Sequence, residues 1–258
     1  MYEPVFNQLQ LREIFHLELL RWLGRKLKAE NYALKGGVNL RFFFNSFRYS
    51  EDMDLDASAI TVETLKETVM KILETRSFQE PLKPFGIEKI IPPDVSKAKQ
   101  TETTQRFKVH LLTAAGEDLF TKVEFSRRGF KGEMTVQPVS DAILRAYKLP
   151  PLICPHYSAE TAVLQKAEAL ASRTVVQARD VFDLYVLSTQ VNMPFTAGAG
   201  LLEKAKENAL EISFEQFSDT VVSYLAPEDR AVYNTAAAWN EIKLKVAEFI
   251  DKIGKADV

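Results

Sequence analysis

Between Leu9 and Glu30, the apolar residues Leu11, Ile14, Phe15, Leu19, Trp22, Leu23 and Leu27 recur at helical spacing. That spacing predicts an amphipathic helix with one buried face. The segment "NYALK" then reads as a short strand. Gly36-Gly37 lets the backbone turn tightly before a second helical stretch, "VNLRFFF". In "EDMDLDA", acids alternate with Met53 and Leu55, the period of a strand with one face on a core. Asp52, Asp54 and Asp56 then share the opposite face. A helix follows over "VETLKETVMKILETR", with Val62, Leu65, Val69 and Leu73 inward.

"GIEKIIPP" is a strand candidate, and "RFKVHLLTAAGEDLFTKVEFS" predicts a hairpin of two longer strands around "AAGED". On its second arm, Phe120, Lys122 and Glu124 point one way, and Leu119, Thr121, Val123 and Phe125 the other. Glu124 is thus a candidate third carboxylate. Pro150, Pro151 and Pro155 in "KLPPLICPHYS" interrupt regular structure and mark a domain boundary. Beyond it the chain reads as helical. Ser158 can cap "AETAVLQKAEALASR", and a second helix starts near "QARDVFDLYVLS". "LLEKAKENALEI", "FEQFSDTVVSYL" and "DRAVYNTAAAWNEIKLKVAEFIDKI" complete the set, with no internal repeat.

Of the 258 residues, 46% are hydrophobic and 26% charged, enough to bury a real core in one or two domains. The single cysteine, Cys154, excludes an internal disulfide framework. The start "MYEPVFNQLQLRE" lacks the basic and apolar regions of a signal peptide, so a cytoplasmic protein without membrane spans is expected. With 33 Lys and Arg against 35 Asp and Glu, the net charge of −2 gives no global attraction to nucleic acid. Any such contact must be local. The clearest basic cluster is Arg127, Arg128 and Lys131 in "SRRGFKG", equally readable as a solvated loop tip.

Two carboxylates on one strand face, near glycines whose bare N–H groups can cradle phosphate, suit magnesium, a hard cation that binds protein oxygens and substrate phosphates together. A solvated acidic strand edge is the plain alternative. Calcium fits poorly: Asp52, Asp54, Asp56 and Glu63 match positions of an EF-hand loop, but Ala57 stands where its glycine is required and the apolar Ile60 at another ligand position. A second constellation, Lys166, Arg173, Arg179, Asp180 and Asp183, lies on two predicted helices. It could hold a polyanionic leaving group or be an inter-helix salt bridge. His16, His110 and His156 are scattered and make no metal cluster or nucleophilic triad.

In order along the chain, "LKGG…LR…R-x-S-E-D-x-D-x-D", the strand glutamate of "KVEFS" and "K-x-x-A-L-x-x-R…A-R-D-x-x-D-L" resemble the abortive-infection AbiEii-type toxin nucleotidyltransferases. These are the toxin half of type IV toxin–antitoxin systems, include MenT-like toxins, and belong to the DNA polymerase β-like nucleotidyltransferase superfamily. The likeness runs from about Leu34 to Leu187. It implies an α/β (α+β) nucleotidyltransferase fold, a mixed β-sheet flanked by helices over residues 1–150, followed by a C-terminal helical domain over 151–258 that completes the active site.

By motif position, the resemblance makes Asp52 and Asp54 magnesium ligands and catalytic residues, with manganese an alternative ion. Glu124 joins them as third ligand or as base, and Lys166 contacts phosphate or assists the leaving group. Lys35, Gly36, Gly37, Arg48, Ser50, Arg173 and Asp180 fall to nucleotide binding. One departure is that the commoner "GGTAL" is "GGVNL" here, so Val38 removes any hydroxyl contact.

The implied reaction moves a nucleoside monophosphate from a nucleoside triphosphate to an acceptor hydroxyl and releases pyrophosphate. The acceptor is expected to be the 3′ end of tRNA, and a cognate antitoxin encoded nearby is expected to silence the enzyme. Arg41, Arg48, Arg127, Arg128 and Lys131 are the candidates for a local basic track. A small-molecule or protein acceptor is one alternative; a degenerate nucleotide-binding interaction module is another.

Overall fold

The computed structural model describes residues 6–191 and 198–254. The first five residues of the start read above lie outside them. The strands are β1 (Tyr32–Lys35), β2 (Met53–Ala57), β3 (Ile87–Ile91), β4 (Thr104–Thr113), β5 (Asp118–Ser126), β6 (Met134–Pro138) and β7 (Ile153–Tyr157). They form one mixed sheet in the order β3-β4-β5-β2-β1-β7-β6. The acidic strand β2 is the middle one. It runs antiparallel to β1 and parallel to β5, which pairs antiparallel with β4 in the predicted hairpin.

The chain divides into two units. Met1–Phe43 and Tyr49–Tyr157 carry the sheet with helices α1 (Gln8–Lys26), α2 (Gly36–Phe43), α3 (Val62–Glu74), α4 (Arg76–Gln79) and α5 (Asp141–Ala146). Phe44–Arg48 and Ser158–Val258 carry α6 (Ala159–Ser172), α7 (Ala178–Leu187), α8 (Ala199–Glu211), α9 (Phe214–Thr220), α10 (Pro227–Tyr233) and α11 (Ala236–Gly254). The mixed sheet with flanking helices is the expected fold class. None of the described helices is long and apolar enough to cross a membrane.

In the sheet unit, Met53 and Leu55 of β2 and Val123 and Phe125 of β5 point into a core shared with Ile14, Phe15 and Leu19 of α1 and Leu65 and Val69 of α3. Helix α1 is buried more completely than one apolar stripe requires, because its polar residues find partners. Arg12 Nε donates to the Phe120 carbonyl at 2.7 Å, and Glu13 accepts from Arg41 at 2.7 Å and from the Tyr147 hydroxyl at 2.5 Å. In the helical unit, Phe182 packs with Phe217, which stacks on Trp239, and Phe47 of the short inserted segment packs edge-on against Phe182.

Several local readings change. Pro155 lies inside β7, although a proline cannot donate to a ladder and so reads as a break. The last predicted helix is two helices, because Asn234 ends α10 and the Thr235 hydroxyl accepts from the Ala238 N–H, capping α11. Helix α9 stops at Thr220, before the β-branched pair Val221-Val222. Strand β6 and helix α5 had no clear periodic signal. The Ser158 cap on α6 is present, its hydroxyl accepting from the Thr161 N–H at 3.3 Å.

Two histidines are part of the sheet unit's interior. His16 is lowered from 6.5 to about 3, mainly by burial. Its Nε2 lies 2.8 Å from the Thr121 hydroxyl, whose proton goes to the Glu51 carbonyl at 2.8 Å, so Nε2 is the donor. His156, stacked on Phe43, is lowered to about 4, again by burial. A folded-state value below the unfolded one means stability that is complete above pH 6.5 and is lost as pH falls toward 4 and 3. The thermal midpoint should therefore hold steady from pH 8 to 7 and decline from 6.5 to 4, and His16→Gln should make that decline shallower. A wild-type midpoint that does not move between pH 7 and 4 would show that these rings are not held neutral.

Candidate active site

The alternation of β2 sends Asp54 to the open face of the sheet between two cross-strand neighbours, Lys35 of β1 and Glu124 of β5. Four carboxylates gather there, and three cations answer them. Lys122 Nζ lies 3.0 Å from Asp52, which also accepts the Lys122 backbone N–H at 3.0 Å. Lys35 Nζ reaches diagonally to Asp56 at 2.5 Å, and the Tyr157 hydroxyl donates to the same carboxylate at 2.6 Å. Arg106 holds Glu124 at 2.7 Å. Asp54 is left with no hydrogen bond or ion pair among the described residues.

Its protonation reflects this. Burial raises the Asp54 carboxyl above the ordinary range, Glu124 and Asp52 push the same way, and Lys122 and Lys35 offset only part of the rise. Such a carboxylate has an unmet need for a cation.

Beside it, Gly36 opens α2 at φ +68°, where a Cβ would stand 3.3 Å from Asp54 Oδ2. Only glycine meets both demands without strain. The free N–H groups of that helix end therefore lie next to Asp54. Val38 and Asn39 follow: Val38 is buried, and Asn39 Nδ2 donates to the Tyr157 carbonyl at 3.1 Å. Ser50 uses its hydroxyl on the Asp52 carbonyl at 2.8 Å, shaping the turn into β2.

No cluster of three or more His, Cys, Asp and Glu side chains arranged to hold a metal occurs among the described residues. That is compatible with magnesium, which binds through one or two carboxylates and completes its shell with water and substrate phosphates rather than in an all-protein cage. Asp54, unpartnered, and Asp52, held by one lysine, are the fitting donors.

The second constellation forms within the helical unit. Lys166 Nζ is bound by Asp180 at 2.8 Å and Asp183 at 2.5 Å. Arg173 pairs with Asp180 at 2.5 Å, and Arg48 with Asp183 at 3.0 Å. Both aspartates are fully buried. Burial alone would lower Lys166, but its two aspartates raise it further; burial would raise Asp183, but Arg48 and Lys166 bring it below the usual range. Lys166 therefore stays protonated and Asp183 ionised across the neutral range. Of the residues that spacing groups, Lys166, Arg173, Asp180 and Asp183 join the network while Arg179 is exposed outside it; Arg48, distant in sequence, joins only in three dimensions.

Three of the five basic-track candidates are engaged within their own units. Arg41 is held by Glu13 and lies over Tyr49, and Arg48 belongs to the buried network. Arg127 donates to Gln105 and to the Ile60 carbonyl, leaving Arg128 and Lys131 exposed. A lone sequence does not reveal which arginines a fold consumes internally.

A family model described as "Nucleotidyl transferase AbiEii toxin, Type IV TA system" matches residues 18–253. Among solved structures, JHP933 from Helicobacter pylori is similar over 98% of this chain and 94% of its own, at 21% identity and a TM-score of 0.60. MenT4, a nucleotidyltransferase toxin from Mycobacterium tuberculosis H37Rv, is similar over 97% and 86%, at 18% identity and a TM-score of 0.60. No curated protein matches the chain.

The two constellations should respond oppositely to neutralisation. A carboxyl raised in the folded state stabilises below its unfolded value and loses that contribution as pH rises through the folded one. Without metal, Asp54→Asn should thus raise the thermal midpoint, and by more at pH 7 than at pH 4. Lys166→Ala leaves Asp180 to Arg173 and Asp183 to Arg48 alone, and should cost up to about 3 kcal/mol in denaturant unfolding. Equal, near-zero shifts for the pair would contradict both electrostatic assignments.

Proposed function

The chain belongs to the AbiEii family of nucleotidyl transferase toxins of type IV toxin–antitoxin systems, and from that premise we propose a magnesium-dependent transfer of a nucleoside monophosphate onto the 3′ end of tRNA. The family brings with it a nucleoside triphosphate substrate and an antitoxin partner. The observation that carries the metal-dependent reading is Asp54, an unpartnered carboxylate beside the N-terminus of α2.

Gly36 and Gly37 would receive the triphosphate on their N–H groups, where the helix end favours negative charge. Asp52 and Asp54 would hold the metal, Asp52 exchanging Lys122 for it in whole or part. When bound there, magnesium would neutralise charge on the transferring phosphoryl group and on the leaving pyrophosphate. Lys122 and Lys35 flank the same carboxylates and would meet phosphate oxygens as point charges. Glu124 would orient the acceptor hydroxyl or take its proton as that oxygen attacks the α-phosphate, once Arg106 shares its hold. No covalent enzyme intermediate is needed, since positioning and charge neutralisation dominate phosphoryl transfer.

In the helical unit, Arg173 is the more exposed cation and the better suited to phosphate. Lys166 would contact it only by releasing one of two carboxylates. Arg48 and Asp180 serve this reading by holding their neighbours in place.

With magnesium, each α-labelled nucleoside triphosphate in turn and total tRNA, the wild type should place label on RNA. Asp52→Asn and Asp54→Asn should each lower that transfer by at least about a hundredfold, the scale of losing one preorganised electrostatic contact. Near wild-type transfer by Asp54→Asn would remove the metal assignment. Label confined to protein or to a small molecule would replace the acceptor and leave nucleotidyl transfer standing.

A further inference from the structure

The open face of the sheet continues past the acids toward β3. Phe120, Lys122 and Glu124 rise from β5 on that face, opposite His110, Lys108 and Arg106 of β4. Ile91 of β3 lies beyond His110. Glu124 and Asp52 engage Arg106 and Lys122. Lys108 is exposed and has no ion pair or hydrogen bond among the described residues. It faces Lys122 directly across the ladder. Like charges in that position destabilise a sheet, and an anion laid between them would relieve the repulsion.

One step along the same face, Phe120 is 52% exposed, with its ring 4.2 Å from that of His110, and Ile91 is 37% exposed. The backbone under the phenyl ring is fixed, since the Phe120 carbonyl accepts from Arg12 Nε at 2.7 Å. A held, outward aromatic beside an unpaired ammonium group, Lys108, with Lys122 across from it held by Asp52, is what a single nucleic-acid strand uses: a base stacks on the ring and a phosphate meets the free cation. Glu124 and its neighbour Asp54 lie four residues further along β5, roughly 13 Å at about 3.3 Å per residue. The strand leads from the ring to the acids.

We propose that this β4–β5 face, built on Phe120, His110, Lys108 and Lys122, is the track that holds a single-stranded segment of the RNA acceptor. It deepens the proposed transfer by giving its acceptor a place, and it rests on that reading for its purpose. It stands in place of the basic track expected from Arg41, Arg48, Arg127, Arg128 and Lys131. The partner's chemistry is set by the face itself: Asp118 holds His110 at 3.2 Å and Asp52 and Glu124 hold Lys122 and Arg106, so the Phe120 ring and the Lys108 ammonium are the groups left to meet a base and a phosphate.

The test is fluorescence anisotropy of a labelled single-stranded RNA of mixed sequence with the full chain, without nucleotide or divalent metal. Phe120→Ala should weaken binding by about tenfold, within the range for losing one stacked base. Lys108→Ala should weaken it several-fold and reduce the magnitude of the salt slope by about one. Lys28→Ala, at an exposed lysine elsewhere, should change neither, and thermal midpoints should confirm that all variants fold. Absence of wild-type binding, or wild-type affinity in both track variants, overturns the proposal. So does unchanged RNA affinity together with lost binding of the antitoxin, which would assign the face to the protein partner. Transfer is read separately through Asp54→Asn, so failure of the track and failure of the chemistry give different results.

Discussion

A carboxylate kept without a counter-ion in the middle strand of a sheet is the constraint on which the rest of the sheet unit turns. Asp54 cannot be neutralised by its neighbours, because Lys35, Lys122 and Arg106 are each committed to another acid. It cannot be crowded either, because the chain beside it turns at positive φ through Gly36. Burial of Met53 and Leu55 on the other face anchors β2 so that this carboxylate stays put. The core thus holds in place a group whose electrostatics disfavour its charged form.

The helical unit treats charge in the opposite way. Lys166, Arg48 and Arg173 saturate Asp180 and Asp183, so its ionic groups are spent on one another. Such a network contributes little net stability over an apolar core, yet breaking it is costly, which suits a scaffold that must hold one geometry. Of the four acids gathered on the face of the sheet, Asp54 remains to be answered from outside. In the helical unit the buried ions leave mainly the partly exposed Arg173 able to reach outward.

Individual residues show how far local pattern reaches in this chain. The alternation of "EDMDLDA" predicted a strand and its polar face, and the structure has both. The same period on "LFTKVEF" placed Glu124 on the correct side of β5, where register then set it beside Asp54. Asp56 belonged to the acidic face by period but is buried under Lys35 and Tyr157, a long-range partner that no local pattern announces. Arg41, Arg48 and Arg127 looked available for RNA and are consumed by Glu13, Asp183 and Gln105. Phe120 was legible as a strand residue on the polar side, but its exposure beside His110 was not.

By itself the sequence determined the elements with strong periods, the glycine pair ahead of a helix, the paired aspartates and the motif order that points to one family. These are local properties, written by side-chain alternation and backbone freedom within a few residues. Tertiary structure decided which charges are spent and which remain. That depends on burial and on partners far apart in the chain: Lys122 is 70 residues from Asp52, and Asp183 is 135 from Arg48. An ionic group acts on a substrate only with the charge its neighbours leave unmatched, and that remainder is set by the fold.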